Sequence, residues 1–273
     1  MIDLHVHTWR CRHAVGTVEE YVRAAARAGI ATIAFTEHLP LAAELASRIP
    51  DAGEYAMPDA EFAAYVSEVH VGRALGEKLG VEVLLGAEAD LDRLSLASGA
   101  PGRDLGGFDV VLGSVHFIDD WAFDDPSKTA RYAEWRLGDL WERYFDDVIA
   151  AARTGMADVM AHADLVKKFT KCPDGGAAHL YRDAAAAFAS AGVAVEVSSA
   201  GLRKPCRELY PGIVFLRELA RMRVPVTIGS DAHTPEEVGM GLDAAVEALA
   251  AAGYRSAVVF RSRVAEEVAL DAL

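Results

Sequence analysis

Cysteine is scarce: Cys11, Cys172 and Cys206 are an odd number at wide spacing, with no C-x-x-C pair. No disulfide framework can be drawn from them, and a reducing cytoplasm is the expected setting. Long apolar runs are missing too. The most apolar stretch, Ala184 to Val195, is interrupted by Ser190 and Gly192 and falls short of the roughly 18 residues a membrane helix needs. Met1 leads directly into Ile2-Asp3-Leu4 without a basic or apolar leader, so no secretory signal is expected. Positive charge is in deficit, with 27 Lys and Arg against 41 Asp and Glu for a formal net of −14. The basic surface on which nucleic-acid affinity rests is therefore absent. Neither nucleic acid nor membrane is an expected partner. A small phosphate ester remains open, because bound cations reverse the sign of the local field.

What is present is ordinary for a folded domain: 273 residues, 52% hydrophobic and 25% charged, read as a single domain spanning 1–273. Short β-branched runs alternate with alanine-rich helical patterns, the signature of βα units and a parallel sheet. Seven strands are predicted: Ile2 to Leu4, Ala31 to Phe35, Val81 to Leu85, Asp109 to Leu112, Asp158 to Met160, Val193 to Val197, and Val226 to Gly229. Helical patterns cover Val18 to Ala28, Ala60 to Leu79, Ala130 to Arg153, Ala177 to Ala191, Ile213 to Met222, and Leu242 to Ala252. Thr17 and Glu20 have capping-box spacing. Two stretches, Asp90 to Gly107 and Phe117 to Thr129, read as surface excursions after strand ends.

The nine histidines are not scattered. His5 and His7 end the first strand pattern, His38 follows the second, His116 the fourth, His162 the fifth and His233 the last, with His13 in the first loop. Glu88 follows the third strand, Glu196 lies in the sixth, and Asp231 follows the seventh. In a barrel of parallel strands all these ends converge on one face. In Asp3-Leu4-His5-Val6-His7, alternate residues of an extended strand point to one side, so both imidazoles can reach one cation. Mixed imidazole and carboxylate ligation suits Zn, Mn or Fe better than Mg or Ca.

Asp3-Leu4-His5-Val6-His7, Thr36-Glu37-His38, Gly113-Ser114-Val115-His116 and Gly229-Ser230-Asp231-Ala232-His233, in that order, resemble the polymerase and histidinol phosphatase (PHP) superfamily along nearly the whole chain. Cys11-Arg12-His13-Ala14, Ala161-His162-Ala163-Asp164-Leu165 and Ala200-Gly201-Leu202-Arg203-Lys204-Pro205 look like motifs of its monofunctional histidinol-phosphatases. That resemblance implies a distorted (β/α)7 barrel with three divalent transition-metal ions. Carried onto matching positions, it implies one ion on His5, His7, Glu88 and Asp231, a second on Glu88, His116 and His162, and a third on His13, His38 and His233.

The implied reaction is hydrolysis of L-histidinol phosphate to L-histidinol and phosphate in histidine biosynthesis, with water as nucleophile. Asp231 and His233 join Asp164, a candidate acid for the leaving group, in the expected catalytic set. Arg203 and Lys168 are candidate ligands of the nonbridging phosphate oxygens, and Phe117 and Trp121 candidate stacking partners for the imidazole. Ser198 is a candidate substrate contact, although Ser198-Ser199 stands where the family often has Asn-Thr. Glu196 would be costly unpaired in an apolar strand, and an orienting contact to a ligand histidine is expected of it. The alternatives are a PHP phosphoesterase for another small ester or nucleotide, and a noncatalytic metal-binding module. No motif encodes an oligomeric state.

Overall fold

The β-branched runs become strands because a parallel sheet wrapped by helices buries them on both faces. The structure, a computed structural model, describes residues 1–99, 102 and 104–273. Its principal sheet has seven strands: β1 (Ile2–Val6), β2 (Thr32–Phe35), β3 (Glu82–Asp90), β4 (Val110–Ser114), β5 (Val159–Met160), β6 (Ala194–Ser198) and β7 (Val226–Gly229). They pair in chain order and all in parallel. Such an order needs a crossover after each strand. Helices α1 (Val18–Ala28), α2 (Phe62–Leu79), α3 (Leu137–Arg153), α4 (Ala178–Ala191) and α5 (Ile213–Arg221) supply five of them, and α6 (Leu242–Ala252) follows β7. Between β3 and β4 the described residues form one short helix, Arg93–Ala97. The predicted excursion over Asp90 to Gly107 falls partly on residues 100, 101 and 103, which lie outside the described residues.

Two features distort the barrel. β3 changes partner midway: Glu82 to Leu85 face β2, and Gly86 to Asp90 face β4. At the changeover a Cβ on Gly86 would lie 2.7 Å from Thr36 Cγ2 and 2.9 Å from the Phe35 carbonyl oxygen, so only glycine fits. The seam between β7 and β1 is joined by a bridge at its C-terminal end, Val6 to Ala232, with the His7 amide donating to the Ala232 carbonyl at 2.9 Å. Buried Asp3 bolts that seam, accepting from the Ser230 amide (2.8 Å), the Ser230 hydroxyl (2.6 Å) and the Gly239 amide (2.9 Å). The result is a distorted (β/α)7 barrel.

A hairpin that the sequence reading omits, β8 (Ser256–Arg261) with β9 (Val264–Ala269), covers the opposite end. Arg261 pairs with Glu82 at 2.6 Å and Arg263 with Asp158 at 2.9 Å, while the Arg263 amide donates to the Asp109 carbonyl. These partners sit where β3, β5 and β4 begin. The N-terminal mouth is thereby covered, and the C-terminal mouth is left for the site.

Phe117 to Thr129 is not a surface excursion. Phe117–Ile118 and Trp121–Ala122 form a small antiparallel hairpin whose side chains are buried. The helical pattern begun at Ala130 starts as α-helix only at Leu137, because Pro126–Glu134 is a 3-10 segment.

Candidate metal centre

His5 and His7 leave β1 on the same side, and Glu88 reaches them from β3. His5 Nε2 is 2.9 Å from His7 Nε2 and 3.2 Å from Glu88 Oε2, while His7 Nε2 is 3.4 Å from both Glu88 Oε2 and Asp231 Oδ1. Donors on a tetrahedron with ~2.1 Å bonds stand about 3.4 Å apart. The other oxygen of the same carboxylate faces a second group: Glu88 Oε1 lies 3.0 Å from His162 Nε2 and 3.6 Å from His116 Nε2. A third group, His13, His38 and His233, brings its donors within 4.8 Å of one another. His162 (φ +29°) and Asp231 (φ +50°) hold backbone conformations rare for non-glycine residues, the kind of strain that concentrates at functional sites.

These groups fit divalent transition metals. Each gathers three imidazole or carboxylate donor atoms within 4.8 Å of one another, the donor types and spacing such ions take. Cys11 could complete a group with His7 and His233, but burial pushes its thiol up, and a protonated thiol is a poor ligand.

Carboxylates stand behind the inner imidazoles. Glu196 Oε1 lies 2.7 Å from His5 Nδ1, and its Oε2 accepts the His162 amide at 3.0 Å. Asp90 Oδ1 lies 2.9 Å from His116 Nδ1, and Glu37 Oε1 3.5 Å from His7 Nδ1. Burial alone would strip the proton from His5, but Glu196, Glu88 and Asp231 hold its pKa well above the ordinary value. His7 is likewise carried against burial to about 9 by Asp231 and Glu37, and His116 to about 10 by Asp90 and Glu88. Burial presses Glu88 and Asp231 upward, and the surrounding histidines overcome it, holding both well below the usual carboxylate range. Burial pushes His13, His38 and His233 down, leaving their imidazoles neutral and able to ligate.

The cluster floors a cavity of about 530 Å³ whose walls include Arg12, Tyr55, Phe117, Asp124, Lys168, Lys204 and Tyr210. Lys168 and Phe117 are on that wall, Lys168 paired with Asp124 at 3.0 Å. Four other expected residues are elsewhere. Trp121 is a core residue: its Nε1 donates to the Lys128 carbonyl, and its ring packs on Tyr132 and Trp135, since a large indole gains more by burial than by an open loop. Ser198 is fully buried in β6, its hydroxyl accepting from the Ala200 amide. Asp164 is buried off the cavity wall, paired with Lys167 at 2.8 Å and accepting the Gly212 amide at 2.9 Å. Arg203 turns under the loop after β7, donating to the Ser230 and Asp231 carbonyls and pairing with Glu237 at 3.2 Å. Its neighbour Lys204 takes the place on the wall.

Sequence reasoning passed over Glu37, Asp90, Tyr55, Asp124 and Lys204. A signal existed for Asp90, which lies two residues after Glu88 on one extended strand and so shares its face. Glu37, between Thr36 and a ligand-type histidine, carried one as well.

A seven-stranded parallel barrel with imidazoles and carboxylates gathered at one mouth is the architecture of a metal-dependent hydrolase. Residues 3–200 match the PHP domain family, and the chain belongs to it. Over 278 aligned residues it is 37% identical to a probable histidinol-phosphatase of Deinococcus radiodurans, covering 96% of this chain and 97% of that protein. It is 27% identical to the histidinol-phosphatase of Bacillus subtilis, across 90% of this chain and 98% of the other. The fold is shared with the histidinol phosphate phosphatase of Lactococcus lactis, whose crystal structure holds zinc, L-histidinol and phosphate: TM-score 0.81, 19% identity, 97% of this chain and 98% of that one.

Proposed function

We infer that this chain is a phosphomonoester hydrolase acting on L-histidinol phosphate, releasing L-histidinol and phosphate. The observation that carries the reading is the two-sided Glu88 carboxylate, which faces His5 and His7 with one oxygen and His116 and His162 with the other. His5, His7, Glu88 and Asp231 would hold one cation, Glu88, His116 and His162 a second, and His13, His38 and His233 a third. Zn, Mn or Fe suits the donor set. Divalent cations bound there would supply a water of lowered pKa and positive charge for the phosphoryl oxygens.

The chain's own residues do the rest. Glu196, Asp90 and Glu37 stand behind His5, His116 and His7 and orient each ring so that its Nε2 faces Glu88. Lys168, Lys204 and Arg12 set positive charge on the wall opposite that floor. Lys168 is held by Asp124 and Arg12 by Glu61, which leaves Lys204 as the freer cation for a nonbridging oxygen. Tyr55 and Phe117, edge to face at 5.5 Å between centroids, supply an aromatic wall for the imidazole of the substrate. The cavity volume matches a small molecule. Residues 1–273 act as one domain in this reading, with the C-terminal hairpin as its base. Among the described residues no helix is long and apolar enough to cross a membrane, and the three cysteines are free, which is consistent with a cytoplasmic enzyme.

The test compares kcat/KM for L-histidinol phosphate with a panel of phosphomonoesters and nucleotides, on the native protein and on His233→Ala. Histidinol phosphate is expected to lead the panel by at least about tenfold. The substitution is expected to lower its kcat/KM by about 100-fold, the upper range for lost support of a bound metal. Equal rates across the panel would remove the substrate assignment and keep the phosphatase. Metal uptake without turnover of any ester would leave a binding module.

A further inference from the structure

The three donor groups are not electrostatically equivalent. The first contains Glu88 Oε2 and Asp231 Oδ1, the second Glu88 Oε1, and the third no carboxylate at all, only His13, His38 and His233. The supporting contacts differ in the same sense. Carboxylates back His5, His7 and His116. Main-chain carbonyls back His13 (Glu54, 3.1 Å) and His233 (Asp231, 3.1 Å). The carboxylate oxygens that do approach the third group, Glu88 Oε2 at 3.3 Å from His38 Nδ1 and Asp231 Oδ1 at 3.4 Å from His233 Nδ1, are those already facing His7. The third group is also outermost: His13 is exposed and His233 partly so, whereas His5, His7, Glu88 and His162 are buried.

We propose that the cation on His13, His38 and His233 is the weakly held, exchangeable one, and that a phosphate dianion in the cavity completes its site. The inference rests on the three-cation reading above and adds an order of loading to it. Two inner divalent cations bring four positive charges against the two carboxylates that face them directly, Glu88 and Asp231. A third adds two more charges beside them, held by neutral donors that offset none of the repulsion. Metal affinity follows ligand charge count and rigidity, and this group is poorest in both. A phosphate ester entering over the same floor supplies the missing negative charge. By reciprocity, the factor by which phosphate tightens the outer cation is the factor by which that cation tightens phosphate. At limiting metal the enzyme is therefore completed by its substrate.

The test titrates the chelated full chain with manganese, alone and with phenylphosphonate as a dianion that is not hydrolysed, and counts bound metal after equilibrium dialysis. Two equivalents are expected to bind tightly and a third at least about tenfold more weakly, with phenylphosphonate tightening the third alone by about tenfold or more, a difference of one decade in affinity. His13→Ala is expected to abolish the weak equivalent and the phosphonate effect while keeping both tight ones. His13→Asp adds a carboxylate, so it should tighten the third equivalent without phosphonate. Three equivalents of equal affinity, loss of a tight equivalent in His13→Ala, or a third equivalent indifferent to phosphonate would each overturn the proposal. A protein taking up no metal would overturn the three-cation reading beneath it.

Discussion

Glu196→Gln isolates the support beneath the metal centre, because it changes two hydrogen-bonding options and almost no volume. Glu196 uses both oxygens as acceptors, Oε1 toward His5 Nδ1 at 2.7 Å and Oε2 from the His162 amide at 3.0 Å, at 1% exposure. Glutamine has one acceptor. With that oxygen on the His162 amide, its NH2 group faces His5 Nδ1, which must then accept; His5 Nε2 becomes the N–H and can no longer ligate. With the amide flipped, two donors face each other in a dry site, at a cost of roughly 1–3 kcal/mol. Either arrangement should weaken metal binding by about 10–100-fold, or ~1.4–2.7 kcal/mol. The assay is competition for zinc against a chromophoric chelator, with far-ultraviolet circular dichroism to establish that the variant is folded. A folded Glu196→Gln protein whose zinc affinity stayed within about twofold of the native value would refute the argument. Gly229→Ala should act through the same carboxylate, since a Cβ there would collide with Glu196 Oε1 and stand 2.6 Å from His5 Cβ.

Two further substitutions probe the frame around the site. Asp3→Ala removes the acceptor for the Ser230 amide and hydroxyl and the Gly239 amide; at roughly 1–3 kcal/mol for each buried group left unpaired, urea denaturation should show a loss of about 3 kcal/mol or more. A loss under about 1 kcal/mol would mean the seam does not depend on Asp3. Trp121→Phe should lower the unfolding free energy by about 1–3 kcal/mol through lost packing and the lost indole hydrogen bond, read as a lower melting temperature, while leaving KM for histidinol phosphate within about twofold. A large rise in KM with unchanged stability would return Trp121 to the substrate.

The strands were legible because each is a short β-branched run ended by glycine or a polar turn, and α1 and α6 begin and end where the sequence pattern places them. The two-residue strand β5 was legible for the same reason. The C-terminal hairpin was not: Ser256–Arg261 and Val264–Ala269 belong to no βα repeat, and what holds them are Val258, Val259 and Phe260 buried in the core together with ion pairs to residues about 105 to 179 positions away. Trp121 illustrates the opposite failure. Flanked by Asp119, Asp120 and Asp124, it looks like an exposed loop residue, and only the packing of Tyr132 and Trp135 around it makes it core.

The amino-acid sequence by itself determined the repeating βα order and hence the single mouth at which His5, His7, His38, Glu88, His116, His162, Asp231 and His233 had to gather, because strand direction and period decide where strand ends point. Tertiary structure alone decided which neighbours those side chains meet: that Arg203 supports the β7 loop while Lys204 faces the cavity, that Asp164 is tied to Lys167, and that Glu37 and Asp90 join Glu196 behind the inner imidazoles while main-chain carbonyls stand behind His13 and His233. Those outcomes depend on distances between segments far apart in the chain, and local pattern carries no information about them.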